Sequence, residues 1–149
     1  MAGSARPSSS AAGGGISYDG SAFSGTRTLQ ITNSSISTNH ANNGTFGRGG
    51  GLWAGGNADK TVTYSVITSN TAGAQGGGVY NGGGPLAMNY NVVAGNTAAG
   101  TPTSSGLGVN TGAVNADNNW WGCNNGPSAS PCDRALGVGA PIAAWLRLA

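Results

Sequence analysis

Apolar and polar residues alternate in short stretches along the chain, and each stretch ends in the same short phrase. A large apolar residue is followed by two small residues and an asparagine, or by a glycine, a cysteine and an asparagine in the last copy. The copies are Ile36-Ser-Thr-Asn39, Ile67-Thr-Ser-Asn70, Val93-Ala-Gly-Asn96 and Trp121-Gly-Cys-Asn124. Their asparagines stand 31, 26 and 28 residues apart. A repeat of this period predicts stacked units, each too small to bury its own apolar face.

The residues that precede each phrase predict short strands. Leu29-x-Ile31 and Val62-x-Tyr64 show the same spacing of two, and the spacing never settles at the 3.6 residues of a helix. A coil of this length with three short strands is what a parallel β-helix requires, because each strand then pairs with its counterpart one coil on, about 4.8 Å away. We therefore predict an all-β chain with about four coils over residues 13–126, after a flexible leader at 1–12 and before a C-terminal cap at 127–149.

The same alignment assigns an inward column to each strand. The predicted core residues are Leu29, Ile31, Ile36, Leu52, Val62, Ile67, Val79, Leu86, Met88, Val93, Val109, Val114 and Trp121. Tyr64 and Tyr90 fall in the column where Asn33 and Asn118 stand, and we expect their rings to pack in the core or at a corner.

The asparagine at each corner has a physical reason. Its amide can bond to the equivalent amides in the coils above and below, which satisfies polar groups that burial would otherwise leave unpaired. Asn39, Asn70, Asn96 and Asn124 are therefore predicted to form a ladder.

Glycine triplets separate the coils, as at Gly49-Gly-Gly-Leu52 and Gly76-Gly-Gly-Val79. Glycine lets one backbone pass close to another and adopts positive φ without strain. A phosphate-binding loop is the competing interpretation, but no Lys-Ser/Thr follows the triplets and no helix is predicted.

Composition supports this picture and narrows the classes of partner. The chain has 29 glycines among 149 residues, ten charged side chains, no Glu, and a net charge of +2. The scattered Arg and Lys do not form the basic stripe that nucleic-acid binding needs. No apolar run approaches the roughly 20 residues of a membrane-spanning helix. The sequence indicates no cofactor.

The two cysteines flank a loop rich in Pro, Ser and Asn. A disulfide between Cys123 and Cys132 would close it, with a stabilisation on the order of 2.5–3 kcal/mol. A zinc site would need further ligands, and the single histidine, His40, lies far away in sequence. A disulfide favours an oxidising, extracellular or cell-surface location.

Trp53 and Tyr80 each follow the aliphatic residue after a glycine triplet. We therefore place them one above the other on the outer face, where an aromatic column beside hydroxyl and amide groups could stack on sugar rings. The alternative is that the two rings stack only on each other and need no ligand.

The acidic side chains offer little for catalysis. Glycoside hydrolysis needs two carboxylates roughly 5–10 Å apart. The acidic residues are Asp19, Asp59, Asp117 and Asp133. We predict that Asp59 pairs with Lys60, and Asp133 with Arg134, at solvated sites.

Two other polar residues have simple structural interpretations. Asp117 is expected to serve its own turn, and His40 is expected to be an exposed turn residue. No catalytic residue and no metal ligand is predicted.

Taken together, the repeat resembles the right-handed parallel β-helix repeats of bacterial secreted and surface proteins, of the autotransporter passenger and polymorphic outer-membrane type. The residues that carry the resemblance are the Ile-x-x-Asn-x-Ala phrase, the glycine triplets, Val114-Asn-Ala-Asp-Asn-Asn-Trp-Trp-Gly122 and the terminal Trp145-Leu146 pair. The resemblance implies a right-handed coil, but the family mixes adhesins, structural proteins, lyases and hydrolases.

Our functional expectation is a non-catalytic, extracellular structural or adhesive module. Its partners are a second copy stacked end to end, a longer parent chain, or glycans. The alternative is a carbohydrate-active enzyme of the lyase or hydrolase type.

Overall fold

The computed structural model describes residues 13–21, 27–41, 44–100, 103–128, 130–137 and 142–149. The predicted leader, residues 1–12, lies outside this range. Within it, 15 short strands and the turns between them wind into a β-solenoid of about four coils.

The first three coils contain four strands each. Coil 1 contains β1 (Ile16–Asp19), β2 (Thr28–Thr32), β3 (Ser35–Ser37) and β4 (His40–Ala41). Coil 2 contains β5 (Leu52–Gly55), β6 (Asp59–Thr63), β7 (Val66–Thr68) and β8 (Thr71–Ala72). Coil 3 contains β9 (Val79–Asn81), β10 (Leu86–Asn89), β11 (Val92–Ala94) and β12 (Thr97–Ala98). The sequence predicted three strands per coil, and the additional strands are the two-residue segments β4, β8 and β12.

Coil 4 contains β13 (Leu107–Val109) and β14 (Val114–Asn115), and β15 (Ala135–Gly137) follows the disulfide loop. Four parallel sheets result, in which each strand pairs with its counterpart in the next coil. The first sheet has the order β1-β5-β9-β13-β15, and the second β14-β10-β6-β2. The third sheet is β11-β7-β3 and the fourth β12-β8-β4. β15 lies within the range that we predicted as the cap, where it extends the first sheet.

The core runs along the axis of the solenoid, as the alternating pattern predicted. Every predicted core residue is buried except Leu29, which is only partly buried in coil 1. Trp121 is fully buried at the other end, where the partly buried Ile142 and Trp145 pack against the same core.

Lys60 corrects the prediction of a solvated pair. Its register partners are Leu29 and Leu86, so it occupies an inward column, and it is only 2% exposed. Its Nζ donates to the carbonyl oxygens of Ala58 at 2.9 Å, of Gly56 at 3.2 Å, and of Gly83 in the next coil. Burial lowers the pKa of this ammonium, and the carboxylate of Asp59 opposes that shift. Lys60 thus binds the glycine-rich loops of two coils together.

Candidate functional site

The corners of the solenoid decide which side chains reach its surface. Among the residues that the structure describes, six non-glycine residues have positive φ: Asn33, Thr38, Tyr64, Ser69, Tyr90 and Asn118. Each of these residues points outward, as does the residue before it, and the residue after it points inward. Two consecutive outward side chains therefore interrupt the alternation of the strands. Around Tyr64, for example, Val62 is buried, Thr63 and Tyr64 point outward, and Ser65 is buried.

Tyr64 and Tyr90 therefore lie at corners with their rings on the outer surface. A corner was one of the two predicted positions, but the inward column and the packing in the core were wrong. The two rings are 61% and 50% exposed. They stack with their centroids 5.4 Å apart and their planes within 7° of parallel. The φ angles of the two residues are 52° and 59°, in the left-handed region that side chains larger than Asn rarely adopt.

The residues beside this stack make the surface apolar on one side and polar on the other. Val66 and Val92, which are register partners on β7 and β11, are 42% and 38% exposed. On the other side Asn89 donates to the side chain of Asn115 at 2.7 Å. We call Tyr64, Tyr90, Val66 and Val92 the tyrosine–valine face.

Trp53 and Tyr80, our predicted glycan site, do not form an accessible platform. They are register partners on β5 and β9, as expected. However, Tyr80 is only 3% exposed, and the guanidinium of Arg48 lies 5.2 Å from the centre of its ring. Because Tyr80 is covered, the two rings do not form the exposed sugar-stacking surface that we predicted for this pair.

Glycines in the first sheet explain why these two rings lie against the sheet. A Cβ on Gly55 would come 2.3 Å from Cη2 of Trp53, and one on Gly108 would come 3.0 Å from Cδ2 of Tyr80. The rings thus occupy the recesses that missing side chains leave, and an aromatic ring over a glycine in a sheet is a stabilising arrangement.

The predicted asparagine ladder forms at three of its four positions. Nδ2 of Asn39 donates to Oδ1 of Asn70, and Nδ2 of Asn70 donates to Oδ1 of Asn96, both at 3.0 Å. The backbone N–H groups of Asn39 and Asn70 donate to the same oxygens. Asn70 therefore accepts from Asn39 in the coil before it and donates to Asn96 in the coil after it.

Asp133, and not Asn124, occupies the fourth position of this ladder. Nδ2 of Asn96 donates to Oδ2 of Asp133 at 2.6 Å, and Asp133 is 4% exposed, so the predicted surface pair with Arg134 is also wrong. The last member of the ladder needs only to accept hydrogen bonds, which suits a carboxylate. Burial raises the pKa of the Asp133 carboxyl, and the hydrogen bonds from Asn96 oppose that shift.

Asn124 instead holds the C-terminal segment. Its side chain donates to the carbonyl of Leu148 at 2.9 Å and accepts from the N–H of Leu148 at 2.8 Å. The Cys123–Cys132 disulfide, with a Cα–Cα distance of 5.1 Å, closes the loop that directs the chain from Trp121 to Asp133. This disulfide was predicted and is confirmed.

A second ladder, which sequence reasoning missed, lies directly behind the tyrosines. Nδ2 of Asn91 donates to Oδ1 of Asn119 at 2.9 Å, and the N–H of Ser65 donates to Oδ1 of Asn91 at the same distance. Asn91 and Asn119 are almost completely buried. The signal was present in the sequence, because Asn33 and Asn118 are residues that favour positive φ, and the residue after each must then turn inward.

Two further carboxylates, those of Asp19 and Asp117, are bonded to the backbone. Asp19 accepts from the N–H and hydroxyl of Ser21, and these bonds lower the pKa of its carboxyl. Asp117 accepts from the N–H groups of Ala143 and Ala144 at 2.7 and 3.1 Å. Asp117 therefore anchors the C-terminal segment rather than its own turn.

The structure places His40 on β4 with its side chain exposed, so the predicted exposure is confirmed, but the residue lies in a strand and not in a turn. Among the described residues, no group of three His, Cys, Asp or Glu side chains could hold a metal ion. In the same part of the chain, no helix is long and apolar enough to cross a membrane.

Comparison with protein-family models, with curated proteins and with solved structures finds no match.

Proposed function

We propose that this chain is a non-catalytic adhesive module of a secreted or cell-surface protein, and that it binds glycans through the tyrosine–valine face. The observation that carries the proposal is the position of Tyr64 and Tyr90. Both are exposed, stacked on each other and held at positive φ, at corners where coils 1 and 4 have Asn33 and Asn118.

Asparagine would be the less strained residue at these two corners. A non-glycine residue in the left-handed region costs on the order of 1–2 kcal/mol, and Asn is among the residues that tolerate it best. The stacking of the two rings offsets only about 0.5–1.5 kcal/mol of this. Strain held at an exposed position supports a role in binding rather than in folding.

The chemistry of the face fits a sugar ring. Exposed tyrosines present an apolar ring surface together with a hydroxyl group, and aromatic residues of this kind are enriched where proteins bind ligands. The valines extend the apolar strip, and the amides of Asn89 and Asn115 on the polar side can exchange hydrogen bonds with hydroxyl groups.

Two observations support the non-catalytic and extracellular parts of the proposal. The carboxylates of Asp117 and Asp133 accept hydrogen bonds from distant parts of the chain, and that of Asp19 accepts from Ser21, which leaves all three poorly suited to proton transfer. The Cys123–Cys132 disulfide is a bond that persists in oxidising compartments.

A glycan array with matched variants tests the proposal. The double variant Tyr64→Asn/Tyr90→Asn installs the residue that the same column has in coils 1 and 4, so the backbone is preserved. We expect it to lose glycan binding by at least tenfold while the far-ultraviolet circular dichroism is unchanged. Phe46→Asn, which removes an aromatic ring that is 57% exposed elsewhere, is the control and should bind as the parent does.

Retention of binding by the double variant would contradict the assignment to this face, and an array without any bound glycan would contradict the adhesive function. Release of reducing ends or unsaturated products from the bound glycans would instead support the carbohydrate-active alternative.

Stacking of a second copy, or of further coils of a longer chain, on coil 1 is a second proposal with its own support. Ile16 and Leu29 in coil 1 are only partly buried, whereas their register partners Leu52 and Lys60 are at most 2% exposed. A further coil would complete their burial. Filaments in electron micrographs, or concentration-dependent light scattering, would support self-stacking, and a monomer at high micromolar concentration would contradict it.

A further inference from the structure

A groove whose lining does not include the tyrosine–valine face carries a site of different chemistry. It has a volume of about 680 Å³ and lies along the fourth sheet, where His40 and Thr71 are register partners on β4 and β8. Its size falls within the range of small-molecule sites, about 300–1,000 Å³. Arg48 and Gln75 form its other polar wall.

The polar groups of the groove are held in position by the scaffold. Arg48 and Gln75 are paired through an isolated parallel bridge, so their backbones keep a fixed separation. The guanidinium of Arg48 rests over the ring of the buried Tyr80, at 5.2 Å from its centre. The hydroxyl of Thr71 accepts a hydrogen bond from that of Thr97 at 3.1 Å. Pre-ordered groups of this kind lose little entropy when a ligand binds.

The charge of the groove is positive. No carboxylate is among its lining residues in the part of the chain that the structure describes, and the guanidinium of Arg48 carries the positive charge. Arginine presents several N–H donors in a fixed plane, which matches the two oxygens of a carboxylate or the oxygens of a sulfate. Among the described residues, the guanidinium of Arg48 has its contact with the ring of Tyr80 and no side-chain hydrogen bond, so its N–H groups can reach such an anion.

The remaining lining favours a ligand that carries hydroxyl groups. Thr45, Thr71 and Gln75 supply donors and acceptors, and Ala72, Ala74 and Ala99 supply a floor of small apolar groups. We propose that this groove binds an acidic sugar, with its carboxylate or sulfate on Arg48 and its hydroxyl groups on Thr71 and Gln75. The site is separate from the tyrosine–valine face and does not depend on it.

Titration calorimetry with three small probes tests the proposal. Glucuronate carries the carboxylate and the hydroxyl groups, glucose only the hydroxyl groups, and inorganic sulfate only the charge. We expect glucuronate to bind at least tenfold more tightly than either of the others, and its affinity to fall as salt is added. A fourth probe, glucose 6-sulfate, carries both hydroxyl groups and a sulfate, and it should also bind more tightly than glucose.

Variants locate the binding. Arg48→Gln should weaken glucuronate binding at least tenfold, and Thr71→Val, which keeps the shape of the side chain, should weaken it several-fold. Arg147→Gln is the matched control, because the Arg147 guanidinium lies 5.3 Å from the ring centre of Trp145 but outside this groove. The Tyr64→Asn/Tyr90→Asn variant should bind glucuronate normally, which separates this site from the proposed glycan face.

Three results would overturn the inference. These are no detectable binding of either acidic sugar at millimolar concentration, glucose or sulfate binding as tightly as glucuronate, and glucuronate binding that Arg48→Gln leaves unchanged in a folded protein.

Discussion

Two aromatic columns run along this solenoid, and they lie in opposite environments. Trp53 and Tyr80 lie on the outward face of the first sheet, yet Tyr80 is 3% exposed. Tyr64 and Tyr90 occupy a column with the spacing of core residues, yet each is at least half exposed. Facing outward and being exposed are therefore separate properties, because the residues around a ring, and the φ angle of its own residue, decide whether solvent reaches it.

In the first column Tyr80 is covered and Trp53 is partly buried, because small residues surround the two rings. The second column is exposed because its backbone turns. Gly55 and Gly108 leave recesses in which the rings of Trp53 and Tyr80 lie. At Tyr64 and Tyr90 the positive φ places an additional side chain on the outside and turns Ser65 and Asn91 inward.

Replacing one ring of each column by Ala should give the largest difference in the free energy of unfolding between two variants. Tyr80→Ala removes a buried ring and leaves a cavity, for which we expect a loss of about 3–5 kcal/mol in the free energy of unfolding. Tyr90→Ala removes a half-exposed ring and should cost less than about 1 kcal/mol. Urea denaturation of both variants measures the difference, and equal losses would show that the two columns do not differ in burial in solution.

The sequence alone predicted the coils, the core columns and most of one ladder, because a period of two within strands and a repeat near 28 residues are local signals. It failed at the corners. The prediction continued the strict inward and outward alternation through Tyr64 and Tyr90. However, Asn33 and Asn118 at equivalent positions already indicated positive φ.

The covering of Tyr80 and the role of Asp133 could not be predicted, since they depend on residues from other coils. Gly108 and Arg48 approach Tyr80 from neighbouring coils, and Asp133 reaches Asn96 only after the disulfide loop has folded back.

Because the residue after each exposed tyrosine turns inward, truncating Asn91 should cost more stability than truncating Asn89. Asn91→Ala would leave the carbonyl of Val62 without its side-chain donor and the N–H of Ser65 without its acceptor inside the core, at a cost of about 2–3 kcal/mol. Asn89→Ala, two residues earlier and half-buried on the outside, should cost less than about 1 kcal/mol. A larger loss for Asn89 than for Asn91 in thermal or urea unfolding would contradict the two-outward pattern at this corner.

Filling a recess of the first column should expel its ring. Gly55→Val would place a Cβ in the space that the Trp53 ring occupies, so either the ring moves into solvent or the strand shifts. We expect a loss of about 1–3 kcal/mol and a red shift of tryptophan emission. Thr61→Val, on the outer face of the second sheet, is the control and should leave both unchanged. An unshifted emission spectrum in a folded Gly55→Val protein would show that the recess does not hold the ring.

The smallest effect is the coupling between the two exposed rings themselves. In a double-mutant cycle of Tyr64→Asn and Tyr90→Asn, each single change relieves strain at its own corner and removes the same stack, so the non-additive part isolates the interaction between the rings. A centroid distance of 5.4 Å in near-parallel planes predicts about 0.5–1.5 kcal/mol of coupling. The same cycle with Tyr64→Asn and Phe46→Asn should show no coupling. A coupling energy near zero for the tyrosine pair would mean that the rings are apart in solution, and the second column would then present two separate tyrosines rather than one continuous surface to a ligand.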